Sequence, residues 1–287
     1  MTPAEFATVR DLLKRRSGLA IDEDKRYLVE TRLAAVCRTF GFADLPALVA
    51  GLRRRNGCAQ LAALEQAVIE AMATNETQFF RDGLPFRQFK DILLPRYREA
   101  RRRERRLRIW CAAASSGQEP YSLAMLLEEQ WTSFAGWRIE LLATDISGAM
   151  IEQGRSGLYS QFEVQRGLPI HSLLRHFVKE GERWRISEAM RAMVEFRTLN
   201  LLEDFGHLGT FDIIFCRNLL IYLDRADREA VLLRLSRALA ADGCLVLGGA
   251  ESAIGPQYGF APHPEHRGLY FARSPARSTG RPPLVAV

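Results

Sequence analysis

Residues 107–125, LRIWCAAASSGQEPYSLAM, change character twice. Leu107 to Cys111, apolar apart from Arg108 and with branched and aromatic side chains, have the pattern of a strand. Small residues follow from Ala112 to Gly117, where a backbone can turn tightly and a ligand can approach it. Pro120 then opens a helix whose first N–H groups are exposed, with Glu119 in its first turn. Strand, small-residue turn and helix make up the repeating unit of a parallel α/β sheet, and the chain repeats that grammar downstream. IELLATDI (139–146), VEFRTLNL (194–201), FDIIFCRNLLIYL (211–223) and GCLVLGGAES (243–252) read as further strands separated by helical stretches. The expected fold is therefore α/β, a doubly wound, Rossmann-like sheet.

Upstream the periodicity is helical throughout. Residues 1–70 predict an all-helical N-terminal domain, with Gly18, Gly41 and Gly57 placed where helices should stop. The second domain is expected over 71–274. Its interval 155–195 is too long for an ordinary connection and reads as an inserted small β-subdomain, with a β element around Trp184 to Ile186. The last stretch, 275–287, is rich in Pro, Arg and Ser and reads as a disordered tail or linker.

Composition narrows the function classes. The chain has 287 residues, 47% of them hydrophobic, enough for two packed cores. No run reaches the roughly 20 apolar residues of a spanning helix, and MTPAEFATVRDLLKRR lacks a signal peptide's apolar core. A cytoplasmic location, no direct membrane insertion and a monomeric state are expected. The five cysteines are spread without a CxxC, so reduced thiols are expected, with neither disulfides nor a metal. Residues 96–108 hold eight Arg and two Glu, which accounts for the whole formal charge of +6. Such a run closing a helix reads as a solvated end complementing the helix dipole, and the absence of interleaved aromatics beyond Tyr97 argues against nucleic acid.

In a doubly wound sheet the ligand sits beyond the carboxyl ends of the strands. After the first strand comes AAASSGQEPYS, which lacks the glycines and the GK[ST] of a phosphate loop. Asp145 follows the second strand, where an acid can accept both hydrogen bonds of a ribose diol; it reads equally as a helix N-cap. Asn200 follows the third, and Arg217, Asn218 and Tyr222 follow the fourth. Polar groups without a phosphate cradle suggest a nucleoside lacking phosphates, such as S-adenosylmethionine. Glu119 also fits an ordinary first-turn acid, Asn218 a turn cap, and Tyr222 a half-buried strand-end aromatic.

MATNETQFFRD, residues 72–82, completes the pattern. Taken with AAASSGQEPYS, ATDIS and FDIIFCRNLLIYLD, in that order, it resembles the CheR-type protein-glutamate O-methyltransferases over about residues 10–273. The resemblance implies a helical domain, a methyltransferase sheet and an inserted β-subdomain that can dock a methyl-accepting chemoreceptor. It also implies S-adenosylmethionine as cofactor, contacted by Asn75, Thr77, Arg81, Glu119, Asp145, Asn200, Leu201, Arg217 and Asn218. Arg81 and Tyr222 would face the reacting methyl group, and Glu119 would serve the cofactor's cationic end. The partner would be the cytoplasmic helical region of the receptor, with Arg26 and Arg32 on a basic helix facing its acidic, methylated part. The chain departs from the family at Ala34, Ala35 and Val36, where further cations are usual, at Gln118, where a second acid is common, and at GGAE (248–251), where a His-Ser pair often stands.

The chemistry implied suits these residues. A glutamate side chain, with a pKa of roughly 4.3, is ionised at neutral pH and attacks without a general base. His171, His176, His207, His263 and His266 all lie outside the strand-end set. Arg81 can orient the incoming carboxylate through its planar fork. Phe79 and Phe80 are expected to bury the segment against the sheet. Two other readings compete: a catalytically weak adaptor on the same fold, and an RNA methyltransferase using the 96–108 run. An adaptor should have lost a strand-end residue, and an RNA enzyme should show stacking aromatics.

Overall fold

The computed structural model describes residues 1–54, 59–251 and 256–272; Gly57, Cys58 and the 275–287 tail lie outside the described residues. Four helices come first: α1 (Pro3–Ser17), α2 (Arg26–Phe40), α3 (Leu45–Arg53) and α4 (Ala59–Met72). Thr2 starts α1 through a reciprocal capping box with Glu5, and Asp44 caps α3 at the amide of Ala47. Helices α1 and α2 end at Gly18 (φ 72°) and Gly41 (φ 71°), left-handed positions that a glycine adopts without steric cost. Val9, Leu13, Leu33, Leu48 and Val68 are wholly buried in a core that these helices share.

Two short helices, α5 (Leu84–Gln88) and α6 (Leu94–Ala100), joined by a π turn, lead into the sheet. In chain order come β1 (Arg106–Cys111), α7 (Gln118–Glu129), β2 (Arg138–Asp145) and α8 (Gly148–Ser156). An inserted unit follows, built from β3 (Leu158–Ser160), α9 (Gln161–Gln165), α10 (Ile170–His176), β4 (Phe177–Glu180), β5 (Arg183–Ile186) and α11 (Glu188–Ala192). The main sheet resumes with β6 (Val194–Thr198), β7 (Phe211–Cys216), α12 (Arg225–Arg237), β8 (Leu239–Leu247), β9 (Phe260–Pro262) and β10 (Leu269–Ala272).

The seven-stranded sheet has the order β6-β2-β1-β7-β8-β10-β9, parallel from β6 to β8, with β10 antiparallel to both β8 and β9. The chain steps outward from β1 to β2 and β6, then returns to lay β7 on the other side of β1. That reversal opens a crevice at the carboxyl ends of β1 and β7. The closing β9–β10 hairpin is absent from the sequence reading. Its first strand ends in Pro262 at the sheet edge, where a missing N–H breaks no ladder.

The insert is a three-stranded antiparallel sheet, β3-β5-β4, and the segment around Trp184 is its central strand. Phe79 refines the expectation placed on it. Its ring is fully buried and meets Tyr159 and Phe177 of the insert edge-on, with centroids 5.1 and 5.6 Å apart, so it anchors the FFRD segment to the insert as well as to the main core.

The arginine run also differs from expectation. Arg102, Arg103 and Arg105 are exposed, as a solvated helix end should be, but Arg101 and Arg108 are not. Arg101 binds Asp212 and Asp242 at 2.8 and 2.5 Å, while Arg106 and Arg108 both hold Glu140. These pairs tie the amino-terminal edge of the sheet together, at the opposite end from the crevice.

Candidate functional site

The crevice is a pocket lined by Asn75, Thr77, Arg81, Glu119, Asp145, Asn200, Leu201, Arg217, Asn218 and Tyr222. All ten strand-end and motif residues singled out in the sequence are therefore brought together, from positions up to 147 apart (75 to 222). Arg26 and Arg32 lie elsewhere, on α2. The guanidinium of Arg32 donates to the carbonyls of Met72 and Ala73 at 2.8 and 3.1 Å, closing the end of α4. Arg26 pairs with Glu23 and stacks over the ring of Phe6. Neither arginine is a free cation, and Arg32 has a structural duty that the sequence reading missed.

Asp145 ends β2, 9% exposed, with Oδ2 accepting from the amide of Ser115 at 2.8 Å and Oδ1 from that of Ser147 at 3.0 Å. It is not the cap of α8, because Ser147 fills that role at the amide of Met150. Each carboxylate oxygen keeps a further lone pair for a donor in the pocket. Burial pushes its carboxyl above the usual range, outweighing the amide hydrogen bonds that favour the charged form.

Glu119 is no ordinary first-turn acid. It is buried, and Arg217 donates to its Oε2 at 2.8 Å. Burial raises its carboxyl even against the pull of Arg217, with the Cys111 thiol alongside. Arg217 is itself almost wholly enclosed. Its second amino nitrogen donates to Asp82 at 2.7 Å and to the carbonyl of Arg81 at 2.9 Å, so its guanidinium holds the 79–82 segment while the residue also lines the pocket. That segment carries Phe80 and Asp82 at φ 51° and 67°, positions where non-glycine residues are strained and persist only when their surroundings hold them. Arg81 anchors one guanidinium nitrogen on the carbonyl of Glu76 at 2.7 Å. The hydroxyl of Ser115 donates to the carbonyl of Asn75 at 2.9 Å, locking the motif to the turn after β1.

The Asn200 side chain is already engaged while the residue lines the pocket: its amide donates to the carbonyl of Arg16 at 2.7 Å and its oxygen accepts from the amide of Leu202 at 3.0 Å, each with one hydrogen-bonding position to spare. The helical domain contributes a wall that no motif announces. Ser17 and Leu19 line the pocket, Leu19 bridges to Leu223, and the amide of Ala20 donates to the carbonyl of Tyr222 at 3.0 Å. No local signal could have found these residues, since their partners lie about two hundred positions away.

S-adenosylmethionine fits this donor set. Asp145 offers paired acceptors to a diol, Glu119 a buried carboxylate to a cation, and Ile146 and Leu201 apolar surface to a base. The AAASSG turn has no phosphate cradle to hold a nucleotide instead. A doubly wound sheet whose switch-point pocket carries these groups and no phosphate cradle suits an S-adenosylmethionine-dependent methyltransferase. Residues 75–263 match the CheR methyltransferase, SAM binding domain, and residues 4–72 match the CheR methyltransferase, all-alpha domain. The chain belongs to the CheR methyltransferase family, and its cofactor is S-adenosylmethionine.

Curated relatives agree in extent as well as in kind. Chemotaxis protein methyltransferase 1 of Pseudomonas aeruginosa is 39% identical over 253 residues, covering 87% of this chain and 90% of the relative. Chemotaxis protein methyltransferase Cher2 of Pseudomonas putida is 38% identical, covering 88% and 91%. The chemotaxis protein methyltransferase of Escherichia coli is 33% identical, covering 88% and 85%. Among the described residues, no single helix is long and apolar enough to cross a membrane.

Proposed function

We propose that the protein esterifies glutamate side chains of a methyl-accepting chemoreceptor, leaving glutamyl methyl esters that tune a chemosensory signal. The observation that carries this reading is Arg81, a cationic fork in a pocket whose other ionisable walls include Glu119 and Asp145, with Tyr222 lining the same space. A planar guanidinium matches a carboxylate, and an attacking carboxylate arrives already ionised, so the site needs an orienting cation rather than a base. S-adenosylmethionine supplies the electrophilic methyl group. Asp145, Asn75, Thr77, Asn218 and the backbone around Asn200 and Leu201 hold the nucleoside, Glu119 favours the cationic end, and Arg81 and Tyr222 align the acceptor. Transfer of labelled methyl to receptor membranes, released by mild base as a carboxyl ester would be, is the expected result. Label stable to base would mean transfer to a group other than a carboxylate, and no transfer by a protein that binds the cofactor would favour the adaptor reading.

Asp145→Ala is expected to weaken binding of S-adenosylhomocysteine by about 1.5–3 kcal/mol, the loss of hydrogen bonds to a charged acceptor. Unchanged calorimetric affinity would remove Asp145 from the site. The wild-type affinity should also fall with acid, in a range above that of exposed carboxylates, because burial raises both Asp145 and Glu119. The sign is unambiguous. Protonation removes the diol acceptor and the negative charge, so affinity rises with pH through these raised values. The same shifts favour the fold at low pH and disfavour it as pH rises, so these two groups do not cause acid unfolding that could mimic the effect.

The test of receptor docking through Arg26 and Arg32 on α2 falls to Arg26, because reversing Arg32 would also break its tie to the end of α4. Arg26→Glu is expected to raise the apparent Michaelis constant for receptor severalfold at low salt, and less as salt screens the pair over roughly 8–10 Å. Unaltered kinetics across a salt titration would move recognition to another surface.

A further inference from the structure

Glu251, on the loop after β8, is a buried carboxylate that the chemistry above leaves unused. It is 6% exposed, and among the described residues no Lys, Arg or His pairs with it in a salt bridge. Four backbone amides converge on it instead. Oε1 accepts from Leu219 and Leu220, both at 2.8 Å, and Oε2 from Asn218 at 2.8 Å and Gly248 at 2.9 Å. Successive N–H groups pointing to one side form an anion-binding concavity, and here the protein fills it with its own side chain.

The concavity belongs to the turn after β7, where Asn218 is held at φ 57°, a left-handed conformation that a non-glycine residue keeps only under constraint. Asn218, Leu219 and Tyr222, all in or next to that turn, line the cofactor pocket. Gly248 gives an independent sign of the same arrangement. A Cβ there would stand 2.8 Å from Oε2 of Glu251 and 3.2 Å from the amide nitrogen of Asn218, and neither can give way while the four hydrogen bonds hold. A glycine is therefore required at 248 although its φ is not left-handed.

We infer that Glu251 is a positioning residue for methyl transfer: by filling the amide concavity at 218–220 it sets the conformation of the turn that presents Asn218 and Tyr222 to cofactor and acceptor. The inference rests on reading the pocket as the S-adenosylmethionine site. A carboxylate is needed rather than an amide, because a glutamine would turn an NH2 group toward amides that are themselves donors. The sequence marks this position only as the end of GGAE, a departure from the usual family pattern, and offers no hint of the four amides.

The test uses the whole protein with S-adenosylhomocysteine titrated by calorimetry, receptor methylation followed in parallel. Glu251→Ala is expected to lower cofactor affinity by about 10- to 100-fold, equivalent to one or two lost charge-assisted hydrogen bonds, and to lower kcat with it. The Michaelis constant for receptor should stay unchanged. Added formate should restore affinity and turnover in Glu251→Ala, where it can occupy the vacated concavity, but not in Glu251→Gln, where the amide blocks it; chloride at the same ionic strength should restore neither. Gly248→Ala should lose affinity as Glu251→Ala does. Wild-type affinity in a folded Glu251→Ala overturns the inference, as does a loss that formate leaves untouched. If Glu251→Ala does not fold, Gly248→Ala decides, and unchanged affinity there also overturns it. A wild-type protein that binds no S-adenosylhomocysteine would instead sink the reading of the pocket.

Discussion

Arg217→Leu should lower the stability of the protein by about 3–5 kcal/mol in denaturant unfolding, because it leaves a buried carboxylate without its partner. Glu119 is 7% exposed and its Oε2 rests on Arg217 at 2.8 Å, while Asp82 and the carbonyl of Arg81 take the other amino nitrogen. Removing the guanidinium would strand Glu119, further raise a carboxyl that burial already holds high, and free the strained Phe80–Asp82 backbone. Methyl transfer should disappear with it, because the 79–82 segment that carries Arg81 loses its tie. Adding Glu119→Gln should recover much of the stability by removing the orphaned charge, but not the activity, because the 79–82 segment stays untied. A direct cofactor contact, as the motif resemblance implies, makes a different forecast: weaker S-adenosylhomocysteine binding with unfolding unchanged. Unfolding curves of the single and double variants separate the two.

Arg81→Lys should cut turnover by about 100-fold while cofactor affinity stays within a fewfold, since small misplacement of a reacting group is enough for such a loss. Lysine keeps the charge but not the fork. In the structure Arg81 donates one nitrogen to the carbonyl of Glu76 at 2.7 Å, which fixes the plane of the guanidinium and leaves its remaining donors for an acceptor carboxylate. An ammonium cannot hold that carbonyl and present a second, parallel pair of hydrogen bonds. Single-turnover methylation at saturating cofactor isolates this step. Equal losses of turnover and affinity would show that Arg81 serves binding alone, and normal turnover would remove it from catalysis.

Much of the site was legible because strand ends are legible. Asp145, Asn200, Arg217 and Asn218 follow runs whose apolar character marks them as strands, and a doubly wound sheet sends the residues after its strands to one crevice. The stops of α1 and α2 at Gly18 and Gly41, and the β element around Trp184, likewise depend on local backbone preferences that neighbouring residues largely set. Which way each side chain turns was a different matter. Asn200 sits at the expected position yet gives its amide to Arg16, 184 residues away, and Arg32 gives one guanidinium nitrogen to the carbonyls of Met72 and Ala73, 40 and 41 residues away. The arginines at 101 and 108 are just as cationic in sequence as those at 102 and 103, but only the former meet Asp212 and Glu140.

The sequence by itself determined the alternation of strands and helices, the helical first domain, the inserted β unit and the strand-end residues that reach the crevice, because each follows from periodicity, turn chemistry and position relative to a strand end; Asn75, Thr77, Arg81 and Leu201 were marked by the family resemblance of their motifs. Tertiary structure alone decided the wall that Ser17 and Leu19 add to the pocket, the burial of Glu119 against Arg217, the closing β9–β10 hairpin and the seat of Glu251 under four amides. Hydrogen-bond partners and burial depend on which distant segments the sheet order brings within reach, and that order is a property of the closed fold that no window of neighbouring residues contains.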